Sequence, residues 1–357
     1  MSGVVDFYEQ ILGTNKNSFR TAFESEWISH LSSFPAKYEA AIQLRIGSRF
    51  RPSLVAWGYL LAGGYFEPEP MMTLARHAVY VELLHKATLL IDDLIDDDSA
   101  RHGQPAFHNE FSDCEAILFA IYLLGDCVEH LTKSASAVNA EALSKVLMLL
   151  GRAIRDMATG GIEETALSID ELSNVNKITR IIELQTIALV QNGLLVGYYF
   201  GRGAGHLIEN IESLGYDAGY LFQVLNDLEP FYGSLQNDAH KGRANSDINR
   251  LRKNFVVAKF LESQSATERA NLIHFISTQP ENGRALIRRG LNDRRTLATL
   301  GENLRLAREN INHVTSSLQL DEARKRGFLD FVDFVLARAL SKLDEEARHI
   351  LSDILIK

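Results

Sequence analysis

A chain of 357 residues is long enough for one large hydrophobic core or for two ordinary domains. Apolar residues make up 46% and charged residues 23%, a balance that excludes a disordered chain and indicates a globular rather than a membrane protein. The 37 basic and 46 acidic residues leave a net charge of −9, which argues against a nucleic-acid partner. So acidic a protein would need metal ions to bind an anionic substrate.

The N-terminal segment, the lack of a long apolar run and the cysteines together predict a cytoplasmic protein. The N-terminal segment has no basic region followed by an apolar stretch, and the sequence has no run of about 18 apolar residues that would predict a transmembrane segment. Cys114 and Cys127 lie in an apolar helical stretch without the spacing of a zinc site. We therefore expect both to be buried thiols in a reducing compartment.

Helical periodicity extends through most of the chain, as in Ile117, Ala120 and Leu124, and no strand-like alternation persists. No proline lies between Pro105 and Pro230. These features predict an all-α fold, with residues 1–357 forming a single domain of about ten to twelve packed helices, the longest of which could enclose a central cavity. The longest helices are expected over about residues 70–98, 111–133, 137–167, 174–201 and 206–230.

Five aspartates, Asp92, Asp93, Asp96, Asp97 and Asp98, crowd the carboxyl end of the first of these long helices. Each carboxylate there costs about 0.3–1 kcal/mol because the helix dipole is negative at that end, so a compensating cation is expected. Asp92 and Asp96 are one turn apart and share a face, from which they could bind one or two magnesium ions. The alternative is a solvated acidic helix end.

Two further polar residues precede the aspartates on the same helix. His85 lies two turns before Asp92 on the same stripe, and Glu82 is close to that stripe. A single histidine on a helix face is often a satisfied core residue. Its alignment with the aspartates favours a site residue instead.

A second polar cluster lies in GYLFQVLNDLEPF, where Gln223, Asn226 and Asp227 form one patch amid apolar neighbours. A polar patch on a buried helix face needs partners. Pro230 is expected to kink or end the helix at Asn226, because the proline ring crowds the carbonyl group four residues earlier. The alternative is an ordinary polar helix terminus.

Taken together, these segments resemble the trans-isoprenyl diphosphate synthase family, also called polyprenyl synthetases, over roughly residues 40–340. VELLHKATLLIDDLIDDDSARHGQP is similar to the first aspartate-rich region of that family, and GYLFQVLNDLEPF to the second. RIGSRFRP resembles the segment that helps to bind the acceptor, isopentenyl diphosphate, with matches at Arg49, Arg51 and Pro52. SDINRLRKNF is similar to a later segment, with matches at Asp247 and Lys253.

The resemblance implies a bundle of about ten or more helices around a deep cavity, normally a homodimer, and a magnesium-dependent reaction. An allylic isoprenyl diphosphate would be ionised, and an alkene would capture the carbocation. The implied catalytic residues are Asp92, Asp93, Asp96, Asp227 and Lys253, and the implied metal ligands are Asp92, Asp96, Asn226 and Asp227. The implied diphosphate-binding residues are Arg49, Arg51, His85, Arg101, His102, Gln185, Thr186, Gln223 and Lys253. Tyr80, Ala87 and Thr88 would set the chain length.

Several positions depart from the pattern of the family, and most of them lie in the implied site. Ser48 replaces a lysine and His102 the second arginine of an arginine pair, both of them acceptor contacts. Gln185 replaces a lysine that contacts the allylic diphosphate. The remaining departures are Asn226 and Pro230, which replace the outer aspartates of the second region, and Ala120 and Ile121, which replace Gly-Asp.

Three functions are compatible with these residues. The first is a prenyltransferase that uses isopentenyl diphosphate or another acceptor. The second is a class I terpene cyclase or synthase on the same scaffold, because the pair Asn226–Asp227 resembles the start of the second metal motif of those enzymes. The third is a non-catalytic regulatory subunit of a prenyl synthase, although such a subunit has little reason to keep five aspartates at a helix carboxyl end.

Overall fold

Helices make up nearly all the regular structure in a computed structural model that describes residues 7–13, 17–44, 47–101, 103–133, 139–232, 254–291 and 294–355. The helices are α1 (Phe7–Leu12), α2 (Phe19–Leu31), α3 (Ala36–Leu44), α4 (Phe50–Leu61), α5 (Pro68–Asp96), α6 (Phe107–Glu110), α7 (Asp113–Lys133), α8 (Ala140–Thr165), α9 (Val175–Ile182), α10 (Ala188–Phe200), α11 (Ile208–Tyr232), α12 (Phe255–Ser263), α13 (Ala266–Thr278), α14 (Pro280–Leu291), α15 (Arg294–Ser317), α16 (Glu322–Leu340) and α17 (Glu345–Leu355). The predicted all-α fold is confirmed.

The helix boundaries follow local capping chemistry. Pro68 stands in the first turn of α5, where a missing amide hydrogen costs nothing. Asn139 caps α8, because its side chain accepts a hydrogen bond from the amide of Glu141 at 2.8 Å. Asn254 caps α12 in the same way, through the amide of Val257 at 3.0 Å. These caps mark where α8 and α12 begin.

The helices α4 and α10 pack against each other unusually closely, through glycines. A Cβ atom at Gly58 would lie 1.9 Å from the carbonyl oxygen of Leu194, and one at Gly197 would lie 1.8 Å from that of Val55. Only glycine therefore allows the two backbones to approach this closely. The close packing fixes the position of α4, which begins directly after Arg49.

A π-helical turn, Glu183–Ile187, connects α9 to α10 and makes Val175–Phe200 nearly one continuous helix. By length and composition, this is the one stretch within the described ranges that could cross a membrane. In the structure, however, 67% of its most apolar 18-residue segment is buried inside the protein, where Val190 and Leu194 are fully enclosed. The stretch therefore contributes to the hydrophobic core.

The only strands in the described part of the chain are β1 (Ala100–Arg101) and β2 (Gln104–Pro105), which pair antiparallel directly after α5. Gly103 lies in the turn between them with a φ of 77°, a conformation that glycine adopts without strain. This small hairpin turns the chain back so that Arg101 faces the end of α5. Periodicity does not predict it, because two residues are too few for an alternating pattern.

Two local predictions from the sequence are wrong. The thiol of Cys127 is buried as predicted, but Cys114 is exposed, because it lies in the first turn of α7 on the side away from the core. The helix α11 does not end at Asn226 and instead continues through Pro230 to Tyr232. Asn226 is exposed, so water can hydrogen-bond to the carbonyl group that the proline leaves unpaired.

Candidate functional site

The carboxyl end of α5 carries the five aspartates, and the structure divides them by burial. Asp93 and Asp98 are buried. Asp92 and Asp96 are partly exposed and lie one turn apart on the same face, as predicted. Asp97 is exposed and ends the helix in a left-handed conformation, with a φ of 47°. The accessible carboxylates of this helix end are therefore separated from the buried ones.

Arg101 supplies the cation that the clustered aspartates require. From the hairpin after α5 its Nε donates to Oδ1 of Asp93 at 2.7 Å, and its Nη2 donates to the same oxygen. Its Nη2 also lies 3.4 Å from Oδ2 of Asp98. Burial lowers the pKa of the Arg101 guanidinium, but Asp93 and Asp98 outweigh burial and leave that pKa raised. The guanidinium is therefore charged and partly compensates the two buried carboxylates, Asp93 and Asp98.

Arg49 lies buried just before α4, in a left-handed conformation with a φ of 58°. Such a conformation costs a residue with a side chain roughly 1–2 kcal/mol, so other contacts must hold it. Nε and Nη2 of Arg49 donate to the carboxylate of Glu24 at 3.0 and 3.1 Å, and Nη1 donates to Oε1 of Glu82 at 2.7 Å. The guanidinium also lies over the ring of Trp27, with its carbon atom 4.8 Å from the ring centroid. Diphosphate binding by Arg49 stays a prediction, because these donors are already directed into the protein.

Arg51 and His85 meet between the first turn of α4 and the middle of α5. Nη1 of Arg51 lies 2.9 Å from Nε2 of His85. Burial lowers the pKa of the Arg51 guanidinium to about 10, against the opposing effects of Glu82 and Asp92. No described carboxylate forms an ion pair with Arg51. The structure therefore brings together two of the residues that the family resemblance implies for diphosphate binding, and the binding itself stays a prediction.

The π-helical turn carries Gln185 and Thr186, which point toward different neighbours. Nε2 of Gln185 donates to Glu164 on α8 at 3.0 Å, whereas its buried Oε1 accepts no hydrogen bond from the described residues. Oγ1 of Thr186 donates to Oε1 of Gln223 on α11 at 2.7 Å. A π turn displaces successive side chains relative to an α-helix, which explains how adjacent residues reach two different helices.

In the second aspartate region, Asp227 is buried and Asn226 is exposed. Oδ1 of Asp227 accepts a hydrogen bond from Nε2 of Gln223 at 2.7 Å, and Oδ2 accepts one from the backbone amide of Phe255 at 2.8 Å. Asn254 donates to the carbonyl oxygen of Asp227 at 3.1 Å. Asp227 therefore joins α11 to the start of α12. Its charge is also favourable there, beside the positive end of a helix dipole.

The residues predicted to set chain length lie along α5. Tyr80 and Ala87 are buried, and Thr88 is partly buried with its hydroxyl group donating to the carbonyl oxygen of His85 at 2.8 Å. The hydroxyl group of Tyr80 donates to Oδ1 of Asn192 on α10 at 3.1 Å. This hydrogen bond fixes the orientation of the tyrosine ring inside the bundle.

Magnesium is held by a few carboxylates together with water and substrate phosphate, so its site must be partly open. Asp92 and Asp96 fit this requirement. Asp227 fits less well, because its two oxygens already accept hydrogen bonds. Within the described ranges, no group of three or more His, Cys, Asp or Glu side chains is arranged to hold a metal ion. His102, Asp247 and Lys253 lie outside the described residues, so their roles stay predictions.

The structure adds four site residues that sequence reasoning missed, namely Glu24, Lys86, Glu164 and Asn254. Glu24 and Glu164 gave no signal, because each is distant in sequence from the residue that it contacts. Lys86 did give one, since it is a charged residue next to His85 in an apolar helix and stands four residues after Glu82.

Comparison with known proteins identifies relatives over most of this chain. A family model described as polyprenyl synthetase matches residues 36–290. The mitochondrial geranylgeranyl pyrophosphate synthase 6 of Arabidopsis thaliana is 30% identical over 191 residues, which cover 51% of this chain and 55% of that protein. A short chain isoprenyl diphosphate synthase of Methanothermobacter thermautotrophicus is 27% identical over 237 residues, which cover 66% of this chain and 69% of that protein. The match thus spans about half of the plant protein.

Among solved structures, a polyprenyl synthase from Caulobacter crescentus, complexed with calcium and isoprenyl diphosphate, has a similar fold. Its TM-score is 0.76, and the alignment covers 94% of this chain and 97% of that one at 18% identity. At this identity the similarity establishes the shared fold.

The role of Asp227 can be tested by comparing it with its exposed neighbour. Asp227→Ala should reduce the free energy of unfolding by roughly 3 kcal/mol or more, because two buried hydrogen bonds to a charged group are lost. Asn226→Ala, the matched control, should change it by less than about 0.5 kcal/mol. Denaturant titration of both variants measures this difference. Equal stability of the two variants would show that Asp227 does not hold α12 in place.

Proposed function

Because the chain belongs to the polyprenyl synthetase family, we propose that it is a magnesium-dependent prenyltransferase. It ionises an allylic isoprenyl diphosphate and couples it to isopentenyl diphosphate or another acceptor. The observation that carries the proposal is the division of the aspartates: Asp92 and Asp96 are partly exposed on one face, whereas Asp93 and Asp98 are buried and pair with Arg101. Similar enzymes named geranylgeranyl and short chain isoprenyl diphosphate synthases support the reaction class.

The reaction requires stabilisation of a leaving group rather than a protein nucleophile. The bond between the allylic carbon and the diphosphate oxygen breaks, and its electron pair leaves with the diphosphate. The π electrons of the acceptor alkene then form the new carbon–carbon bond, and a proton is lost. Magnesium, when bound by Asp92 and Asp96, would neutralise charge that develops on the diphosphate. Arg51 would donate hydrogen bonds to a diphosphate, while the buried apolar side chains of α5 and α10 exclude water from the cation.

A terpene cyclase or synthase is the second candidate, and the allylic side of the site favours it. Gln185 stands where the family has a lysine, and its amide donates a hydrogen bond to the carboxylate of Glu164, so the side chain at this position supplies no positive charge. Asn226 is exposed beside Asp227, as an Asn-Asp metal motif would need. Such an enzyme would ionise the same substrate but would need no second diphosphate.

We also propose a homodimer, in which α7 forms the contact. Five large apolar side chains on this helix are exposed, namely Ile117, Leu118, Ile121, Tyr122 and Val128. Exposed apolar residues grouped in this way mark an interaction surface. Light scattering on the purified protein should give twice the mass of the chain, and a monomer at micromolar concentration would contradict the proposal.

Product analysis tests the proposed reaction. The protein should be incubated with magnesium and dimethylallyl, geranyl, farnesyl or geranylgeranyl diphosphate, each with and without isopentenyl diphosphate. We expect a longer diphosphate only when isopentenyl diphosphate is present, and loss of turnover when a chelator removes the metal. Cyclic or dephosphorylated hydrocarbons without isopentenyl diphosphate would establish the cyclase instead. No product under any condition would favour a regulatory subunit.

The chain length of the product tests where the hydrocarbon tail lies. Ala87 and Thr88 are small and precede Asp92 by about one turn, so the pocket should admit a tail of fifteen or more carbons, as in the family. Ala87→Phe introduces a ring that the packed interior can absorb only with about 1–3 kcal/mol of strain, so mass spectrometry should detect shorter products. Tyr80→Ala is the comparison variant. An unchanged product range in Ala87→Phe together with longer products in Tyr80→Ala would place the floor of the pocket at Tyr80.

A further inference from the structure

The corner between α2, α4 and α5 contains more positive than negative charge. Among the side chains that meet there, three are cationic and two are anionic, which leaves one positive charge in excess within this set: Arg49, Arg51, Lys86, Glu24 and Glu82. Asp92, in the aspartate cluster at the end of α5, also acts electrostatically on Arg51. Arg49 is bonded to both carboxylates, and Lys86 lies beside Glu82. The excess charge therefore belongs to Arg51, which is directed at His85 rather than at a carboxylate.

Lys86 is buried, a rare state for a lysine that is not paired with an opposite charge. Its Nζ lies 3.4 Å from Oε1 of Glu82, one turn earlier on the same helix. The same oxygen accepts the hydrogen bond from Arg49. Burial would raise the pKa of the Glu82 carboxyl, but Lys86 and Arg49 outweigh it and hold that pKa below its ordinary value. Glu82 is therefore an ionised carboxylate whose charge these two cations balance.

Removal of Lys86 would change what Arg51 can do. Glu82 would then be a buried carboxylate balanced by Arg49 alone, and Arg49 is already shared with Glu24. Besides Lys86 and Arg49, Arg51 is the cation that acts electrostatically on Glu82. A buried carboxylate with too little positive charge around it attracts a neighbouring cation strongly, because the protein interior screens charge poorly.

We propose that Lys86 is a positioning residue, whose ammonium group compensates Glu82 and so keeps the guanidinium of Arg51 directed toward His85 and available to a substrate diphosphate. The proposal rests on the proposed function, since it names the residue that prepares one of the two diphosphate sites. Lys86 thereby restores to this corner a positive charge that Ser48 does not supply. Ser48 is exposed before α4, whereas Lys86 is buried on α5.

Binding of inorganic diphosphate in the presence of magnesium tests the proposal without any turnover. Isothermal titration calorimetry should compare the wild type with Lys86→Met, Lys86→Arg and the double variant Glu82→Gln/Lys86→Met. Lys86→Met should weaken binding by about tenfold or more, the change expected when an uncompensated charge captures the arginine. The double variant should bind within about twofold of the wild type, because the carboxylate that needs compensation is gone. Lys86→Arg should also bind within about twofold, because the positive charge is kept.

Lys145→Met is the matched control, because it breaks an exposed Glu–Lys pair of the same spacing on α8 and should leave binding unchanged.

The double variant separates positioning from direct contact. If Lys86 touched the diphosphate itself, the double variant would bind as weakly as Lys86→Met, and that result would overturn the proposal. Unchanged binding in Lys86→Met would overturn it as well. Circular dichroism checks folding, and if Lys86→Met does not fold, the double variant decides alone, with near-wild-type affinity in support and a tenfold loss against.

Steady-state kinetics distinguishes this proposal from the proposed reaction. With turnover, Lys86→Met should raise the KM for isopentenyl diphosphate while the KM for the allylic diphosphate stays constant. A raised allylic KM with an unchanged acceptor KM would overturn the assignment of Lys86 to Arg51. Absence of any product in the wild type would overturn the reaction but would leave the binding comparison valid.

Discussion

The concentration of negative charge at the carboxyl end of α5 is the constraint on which the candidate site depends. Five aspartates follow one another where the helix dipole is already negative, and none of them can be explained by helix stability. A short hairpin with two residues in each strand and Gly103 in its turn follows the helix. It offsets part of this cost, because it places Arg101 against Asp93 and Asp98. Asp92 and Asp96 lie on the partly exposed face, where their negative charge would repel a diphosphate that arrived without a metal ion.

The corner between α2, α4 and α5 shows a second way of managing charge, in which buried ion pairs lie beside a cation that is directed at a histidine. Close packing of α4 on α10 through Gly58 and Gly197 fixes the position of the start of α4, where Arg49 and Arg51 lie. Arg49 is directed inward to two carboxylates, and Arg51 is directed to His85. A buried pair adds little net stability once desolvation is counted, but it can determine which of several cations faces the ligand. The helix backbone and the ion pairs together assemble this part of the site.

Much of the fold and part of the site could be predicted from the sequence. Residues that share one helix have a known spacing, so the common face of Asp92 and Asp96 and the alignment of His85 follow from periodicity. Contacts between helices do not. One partner of Arg49 is Glu24, and one partner of Asp227 is the backbone amide of Phe255, and no side-chain pattern reveals either contact. Exposure of Cys114 was mispredicted because an apolar stretch does not show which side of its first turn faces the core.

The division of the aspartates is tested most directly by manganese binding, which substitutes for magnesium and can be counted by electron paramagnetic resonance. Asp92→Asn and Asp96→Asn should lose manganese affinity and keep or slightly increase their melting temperature, because removing a negative charge from a helix carboxyl end relieves repulsion. Asp93→Asn should instead bind manganese and melt at a lower temperature, because Arg101 loses its closest buried partner. Loss of manganese binding in Asp93→Asn, together with normal binding in Asp92→Asn, would contradict the division.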